Sequence, residues 1–387
     1  MKKYIAFITF IICFLLIPFA PVSQTMFAHA KSSEGLVSSK AALLIDKNSG
    51  TVIFEENADK KLPVASMTKI VSLAIVFDYI ENQKLSLDEK VVVSEKAAKT
   101  GGSQAFLDEG SMYCVGDLIE TVIVASANDS MVALAEKIMG SEDGFVEEMN
   151  KYAKSVGMDN SHFVNSTGLP ADNHYSTARD MVKAYLKVGF RDLYKKYAST
   201  WMYDFIHPSG RKTEMVNTNK LIKNYKGCDG GKTGFTNQSG FCLTAAATRG
   251  NMTLVGSVLG DLSSRDRFKS MSNMFDYGFN NFENKKVVSS LEPVGEVLVR
   301  GAAKEKIKVF PEKDCVRFLK KGETEELNIV TKIDDYVKAP VDYNCVVGSI
   351  YIYDKDNNVV DKINVISGEE VPQIKLCEIF DNIYKNW

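Results

Sequence analysis

The stretch Pro63-Val64-Ala65-Ser66-Met67-Thr68-Lys69 places a serine and a lysine three residues apart at the start of an apolar run that continues to Tyr79. Side chains at positions i and i+3 of a helix lie on one face, so we expect the Ser66 hydroxyl to face the Lys69 amine. A serine hydroxyl is a weak nucleophile at neutral pH and needs an adjacent base. Burial and nearby cations lower the pKa of a lysine, which makes Lys69 the predicted base.

A second motif, Ser126-Ala127-Asn128, lies between two apolar segments with helical spacing. A turn between helices would direct the Ser126 hydroxyl and the Asn128 amide into one cleft. There Ser126 can relay a proton to a leaving amine, and Asn128 can bind a peptide carbonyl of a substrate. Taken alone, the same residues also fit a helix cap, which is a commoner role for them.

The third motif, Lys232-Thr233-Gly234, begins a predicted strand–turn–strand unit, and an edge strand can pair with an extended peptide. Lys232 would attract a substrate carboxylate, and Thr233 would donate a hydrogen bond. Gly234 would let a substrate approach the backbone closely. The backbone N–H groups of Phe235 and Ser66 predict an oxyanion hole.

Two of these motifs occur a second time in contexts that do not favour a site. Ser209-Gly210-Arg211-Lys212 follows Pro208 and contains a glycine, so we predict a loop there. Lys99-Thr100-Gly101 ends a helix-like stretch and precedes Gly102, which indicates a helix stop.

The pattern of the chain predicts mixed strands and helices from about residue 36 to 282. The predicted strands are residues 41–45, 51–54, 240–248 and 252–259. The predicted helices begin at Ser66 or lie around residues 115–140 and 143–156. The predicted strands lie at the two ends of this segment, and the predicted helices lie between them. We therefore predict one sheet whose edges come from the two ends of the segment.

After residue 282 the pattern changes to short β-rich segments with few helix signals. Predicted strands there are residues 296–300, 307–310, 346–353 and 359–365. We therefore predict a small all-β domain at 283–366. Residues 367–387 form a predicted amphipathic tail, and its apolar face ending in Trp387 makes it a candidate for contact with a membrane surface. The alternative is a helix that packs on its own protein.

Residues 1–30 predict a secretory signal peptide, which leaves a catalytic domain at 31–282. Lys2 and Lys3 precede an apolar run, and Ala28-His29-Ala30 offers a small-x-small cleavage site. The apolar run is shorter than the roughly 20 residues of a membrane-spanning helix, although an uncleaved anchor is the alternative. We therefore expect an exported protein that works outside the cytoplasm, at the cell wall or the outer face of the cytoplasmic membrane.

Composition excludes several other kinds of site. The formal net charge of −2 does not favour a nucleic-acid partner. Three histidines remain after residue 30, and the cysteines lack zinc-ligand spacing, so we expect no metal and no cofactor. We expect the thiols to be unpaired. In particular, a hairpin near residues 237–238 would leave Cys228 too far from Cys242 for a disulfide.

Together the three motifs resemble those of the serine-type D-alanyl-D-alanine carboxypeptidases, the low-molecular-mass penicillin-binding proteins. The resemblance covers nearly the whole chain after residue 30 and includes the order and spacing of the motifs. It extends to the segments Asp229-Gly230-Gly231-Lys232-Thr233-Gly234-Phe235-Thr236, Asn165-Ser166-Thr167-Gly168-Leu169-Pro170 and His174-Tyr175-Ser176-Thr177-Ala178-Arg179-Asp180.

The resemblance implies a penicillin-binding protein/serine β-lactamase-like transpeptidase fold of the α/β (α+β) class, followed by a small all-β domain. It implies that Ser66 attacks the carbonyl between the two D-alanines of a peptidoglycan stem peptide, releases D-alanine and is then freed by water. β-Lactam antibiotics would acylate Ser66 as covalent inhibitors. The implied catalytic residues are Ser66, Lys69 and Ser126, and the implied substrate-binding residues are Asn128, Lys232, Thr233, Gly234 and Phe235.

Three other functions remain open at this point. A class A β-lactamase would need a Glu-x-x-Leu-Asn loop, and none lies between Asp129 and Gly231. A peptidoglycan endopeptidase would share the site. A non-catalytic β-lactam sensor or wall-binding protein would bind penicillin without turnover. The chain also has Thr167 where some family members have a histidine, which leaves any role of that position in deacylation open.

Overall fold

The computed structural model describes residues 35–375. The predicted signal peptide at 1–30 and residues 376–387 of the predicted tail lie outside the described residues. No helix within 35–375 is both long enough and apolar enough to cross a membrane.

The first part of the described chain contains nine strands and nine helices. The strands are β1 (Ala41–Asp46), β2 (Val52–Glu56), β3 (Lys90–Val92), β4 (Met112–Cys114), β5 (Met202–Ile206), β6 (Lys212–Val216), β7 (Cys228–Thr236), β8 (Gly240–Arg249) and β9 (Met252–Asp261). The helices are α1 (Lys69–Glu81), α2 (Glu95–Ala98), α3 (Val115–Val124), α4 (Asn128–Met139), α5 (Glu142–Ser155), α6 (Ala178–Val188), α7 (Asp192–Ala198), α8 (Leu221–Asn224) and α9 (Ser264–Asn281).

A five-stranded antiparallel sheet in the order β2-β1-β9-β8-β7 organises this part. Its edges are β2, from the beginning of the chain, and β7, from the late segment, which confirms the predicted arrangement. Because side chains alternate along a strand, Leu44 packs in the layer with α9 while Leu43 packs with the helices on the opposite face. Burial of both faces explains why β1 is a continuous apolar run.

The Ser66 segment enters this core through a 3-10 turn at Ala65–Thr68, and α1 follows directly. The predicted helix is therefore present, but its first turn is tighter than an α-helix. Nine successive residues from Lys69 to Phe77 are buried, so α1 is surrounded by protein on all sides. A central helix of this kind holds Ser66 on a rigid element.

The predicted helical stretch 115–140 is divided into α3 and α4, because Ser126 has a positive φ of 64° that no helix accommodates. The second copies of the two motifs lie in a helix stop and a loop, as we predicted. Lys99 caps the C-terminus of α2, and Ser209 lies in the turn between β5 and β6.

The second part of the described chain contains strands only. They are β10 (Phe282–Val288), β11 (Gly295–Arg300), β12 (Lys306–Pro311), β13 (Cys315–Lys320), β14 (Asn328–Ile333), β15 (Tyr336–Lys338), β16 (Val346–Tyr353) and β17 (Val359–Ser367). Six of them form a sheet in the order β14-β16-β17-β12-β11-β15, and β10 pairs with β13. All four predicted strands are present, and the weaker patterns of the other four were missed.

The five cysteines within 35–375 are free thiols. In the hairpin of β7 and β8, Cys242 faces Gly234, while Cys228 faces Ala247. This register confirms that Cys228 and Cys242 are too far apart to form a disulfide.

Gly168 should be intolerant of a side chain, because it has φ +84° and a Cβ there would lie 1.9 Å from the carbonyl oxygen of Ala65. We expect Gly168→Ala to lower the free energy of unfolding by about 3 kcal/mol or more. Gly110→Ala is the matched control, since Gly110 has φ +73° with open space around it. The control should cost only about 1–2 kcal/mol for the left-handed backbone. Equal losses for the two variants in chemical denaturation would contradict the close contact.

Candidate active site

The three motifs meet at one place, where the 3-10 turn, the α3–α4 junction and the edge strand β7 converge. The Ser66 hydroxyl lies 2.9 Å from Lys69 Nζ. Ser66 is partly exposed, whereas Lys69 is completely buried behind it. A nucleophile that a substrate can reach is therefore paired with an amine that solvent cannot reach.

Lys69 Nζ donates hydrogen bonds to neutral oxygens. Besides Ser66 Oγ, it contacts Asn128 Oδ1 at 2.5 Å and the main-chain oxygen of Thr167 at 3.0 Å. Burial, and then the charge of Lys232, hold the pKa of Lys69 well below its usual range, and Asp129 opposes this shift. When Lys69 is neutral, its lone pair can accept the Ser66 proton across the same 2.9 Å contact.

Lys232 is the second buried amine and contacts the second serine of the site. Its Nζ donates to Ser126 Oγ at 2.7 Å and to the main-chain oxygen of Thr233 at 3.0 Å. Burial, followed by the charge of Arg267, lowers the pKa of Lys232 to about 7. Ser126 therefore lies beside a group that can carry or release a proton near neutral pH.

Asn128 has a fixed side-chain orientation. Its Oδ1 accepts from Lys69, while its Nδ2 donates to the main-chain oxygen of Gly101 at 2.6 Å. Its backbone N–H donates to the main-chain oxygen of Ser103 at 2.7 Å. The helix-cap alternative is not realised, because Asn128 is the first residue of α4 and Ala127 occupies the cap without a side-chain hydrogen bond.

The strand β7 lies directly against the turn that carries Ser66. A Cβ at Gly234 would be 2.5 Å from the oxygen of Val64 and 3.2 Å from the nitrogen of Met67, so this approach requires glycine. Thr233 Oγ1 donates to Thr218 Oγ1 at 2.8 Å. Phe235 is half exposed, and its ring stacks on Phe241 with 4.2 Å between centroids.

The sequence reasoning missed several residues that hold the site together. Arg267 on α9 is buried and donates to the main-chain oxygens of Gly234 and Cys242 at 3.2 and 3.3 Å, which fixes β7. Asp129 is buried and accepts hydrogen bonds from two backbone N–H groups of the loop between α2 and β4. An aspartate at the start of an apolar helical stretch was a signal for Asp129, but the sequence did not show which groups it would contact. The polar sequence around Arg267 offered no such signal. In residues 35–375 no group of three or more His, Cys, Asp or Glu side chains is arranged to hold a metal ion.

Two family models match this chain. The model described as D-alanyl-D-alanine carboxypeptidase matches residues 27–263, and the model described as penicillin-binding protein 5, C-terminal domain, matches residues 282–373.

Curated relatives and solved structures agree with these models. The D-alanyl-D-alanine carboxypeptidase DacF of Bacillus subtilis is 32% identical over 390 residues, covering 100% of this chain and 99% of that protein. DacC of Escherichia coli is 37% identical over 273 residues, covering 68% of this chain and 66% of that protein. The structure of penicillin-binding protein 5 from Haemophilus influenzae superposes with a TM-score of 0.67 and 30% identity, covering 87% of this chain and 98% of that chain.

These matches extend over both parts of the fold, and they confirm the predicted combination of a transpeptidase-type α/β domain with a C-terminal β domain. With the serine–lysine pair already located in the first part, they show that the chain belongs to the D-alanyl-D-alanine carboxypeptidase family, the low-molecular-mass penicillin-binding proteins.

Proposed function

We propose that this protein is a serine carboxypeptidase that removes the terminal D-alanine from peptidoglycan stem peptides through an acyl-enzyme on Ser66. The observation that carries the proposal is the 2.9 Å contact between Ser66 Oγ and the fully buried Lys69 Nζ, in a chain of this family. A buried amine with a lowered pKa is the base that a serine nucleophile needs.

In the acylation step, Lys69 accepts the Ser66 proton while Oγ attacks the carbonyl between the two D-alanines. The C–N bond of the tetrahedral intermediate then breaks, and the leaving D-alanine amine takes a proton from Ser126. Lys232 lies 2.7 Å from Ser126 Oγ and can replace that proton. The products of the step are free D-alanine and an ester between Ser66 and the shortened peptide.

Binding places the substrate between α4 and β7. Asn128 Nδ2 has one hydrogen directed to Gly101, which leaves the other for a peptide carbonyl of the substrate. Lys232 supplies a positive charge for the terminal carboxylate. The Thr233 hydroxyl, which donates to Thr218 in this structure, would turn its hydrogen to the carboxylate when the substrate binds. The close approach of Gly234 to the Ser66 turn supports an oxyanion hole formed by the backbone N–H groups of Ser66 and Phe235.

Deacylation reuses the same base. Lys69 holds the Ser66 proton at the end of acylation and Lys232 lacks one, so a net proton transfer from the first amine to the second restores both. Water can then take the place of D-alanine, and Lys69 can accept a proton from that water as it attacks the ester and return it to Ser66 Oγ as the ester bond breaks. A β-lactam has a strained amide that Ser66 would open by the same route, so β-lactams should be covalent inhibitors. Thr167 contacts Lys69 through its main-chain oxygen, so this contact does not depend on a histidine side chain at position 167.

The remaining proposals concern the domains and the location. We propose a signal peptide at 1–30, a catalytic domain at 31–282, a β domain at 283–366 and a tail at 367–387. The amphipathic part of the tail, from Ile374 onward, would contact the membrane surface, because Ser367 and Val371 are buried against the β domain. The end of α9 at Asn281 and the start of β10 at Phe282 support the boundary between the two domains. Peptidoglycan lies outside the cytoplasm, so the proposed substrate itself requires export.

The nucleophile can be identified directly by mass spectrometry of the penicillin-labelled protein, which should show one adduct on the peptide that contains Ser66. Ser66→Ala should lose the adduct and reduce D-alanine release from a diacyl-D-Ala-D-Ala peptide by about 10³-fold or more. The control is Ser209→Ala, which changes the serine of the second Ser-x-x-Lys sequence and should retain both properties. An adduct on wild type without D-alanine release would instead indicate a β-lactam sensor.

The pH profile of kcat/KM tests the two lysines. Lys69 must be neutral to act as a base, so the rate should rise with pH through its lowered pKa. Lys232 must be charged to attract the carboxylate, so the rate should fall above about pH 7 as it loses its proton. Lys232→Arg keeps the charge to a much higher pH, and its alkaline limb should move upward by about one pH unit or more. An alkaline limb that does not move would refute this role of Lys232.

A further inference from the structure

Three residues near the site have backbone φ angles in the left-handed region, which is uncommon for residues other than glycine. Within 35–375, the non-glycine residues with positive φ are Asn57, Ala65, Gln83, Phe106, Ser126, Asn173, Asn344 and Asn357. Asparagine tolerates a positive φ. Gln83 lies just after the C-terminus of α1, where residues with a positive φ are common. Of the other three, Ala65 and Ser126 belong to the motifs already described. Phe106 is the remaining one, and a positive φ is unusual for such a bulky side chain.

The backbone around Phe106 is held in this conformation from both sides. The N–H groups of Ala105 and Leu107 donate to the two carboxylate oxygens of Asp129 at 2.9 and 3.1 Å. The carbonyl oxygen of Phe106 accepts from Arg211 Nη2 at 2.6 Å. Ala105 and Leu107 are buried as a result, while the Phe106 side chain remains 56% exposed.

The positive φ and the exposed ring of Phe106 do not themselves stabilise the folded chain. A strained φ costs on the order of 1–3 kcal/mol, and an exposed ring recovers little of the free energy that burial would give. Residues held in such a conformation occur preferentially at functional sites, where the surrounding contacts maintain them.

The loop that carries Phe106 lies beside Asn128. Gly101 and Ser103 of this loop both bond to Asn128, at 2.6 and 2.7 Å, and Asp129 holds the loop two to four residues further on. Asn128 is the residue proposed to bind a peptide carbonyl of the substrate. Because the scissile carbonyl goes to the oxyanion hole and the terminal carboxylate to Lys232, the carbonyl at Asn128 belongs to the acyl side of the scissile bond. The loop therefore borders the part of the groove that receives the residue before the two D-alanines.

We propose that Phe106 is a specificity-determining residue whose ring contacts the hydrocarbon side chain of the stem-peptide residue that precedes D-Ala-D-Ala. This inference rests on the proposed function and adds a substrate contact to it. An exposed ring at a fixed position offers an apolar surface to a methylene chain without a cost for ordering the loop on binding.

Phe106→Gly tests the contact, because glycine adopts a positive φ without strain and lacks the ring. The substrates are two diacyl peptides ending in D-Ala-D-Ala, one with an acetylated lysine before the D-alanines and one with glycine there. We expect kcat/KM for the lysine peptide to fall about tenfold and that for the glycine peptide to change little. Phe106→Tyr retains the ring and should keep the preference of the wild type.

Gln83→Gly is the control for relief of a positive φ away from the groove, and it should leave both rates unchanged. An equal loss on both peptides in Phe106→Gly, or no loss on either, would overturn the contact while leaving the carboxypeptidase activity of the wild type intact. Absence of D-alanine release from both peptides by the folded wild type would overturn the proposed function, and this inference with it.

Discussion

Burial of two lysine amines among neutral oxygens is the constraint on which the rest of this structure depends. Lys69 and Lys232 are both fully buried, and their side-chain hydrogen bonds go to hydroxyl, amide and carbonyl oxygens. A carboxylate at either amine would stabilise the charged form and raise its pKa. The role of Lys69 as a base therefore requires a fold that removes water from its amine without giving it an ionic partner, and Lys232 is left without one for the carboxylate of the substrate.

The fold meets this requirement by bringing together oxygens from distant parts of the chain. The partners of Lys69 come from the 3-10 turn, from α4 and from the loop at Thr167. Those elements must pack closely, and the close packing requires glycine at Gly168 and Gly234, where any side chain would meet the Ser66 turn. His174 adds a further contact to that turn through Thr68 Oγ1 at 2.7 Å, and burial lowers its pKa to about 4, so it remains neutral there.

The sequence predicted the parts of the site that local rules determine. Helical spacing placed Ser66 next to Lys69, and the apolar runs of β1, β8 and β9 predicted the central sheet. The contacts of Arg267 with β7 and β8 could not be predicted, because they join residues 33 and 25 positions apart through three-dimensional packing. The 3-10 turn was also missed, and its first residue, Ala65, has a positive φ that the residue type does not indicate.

Stability and catalysis make opposite demands on Lys232. Its pKa is about 7 in the folded chain and near 10.4 in an unfolded one, so the unfolded chain binds more protons between these values. Folding between about pH 7 and about pH 10 therefore releases up to one proton, and the stability contributed by this residue decreases by about 1.4 kcal/mol for each pH unit on going down through that range. Below pH 7 the folded chain carries the charge, and the cost grows no further. Burial of Lys232 therefore costs the most folding free energy in the pH range where its positive charge is available to a carboxylate. Packing elsewhere in the fold must offset that cost.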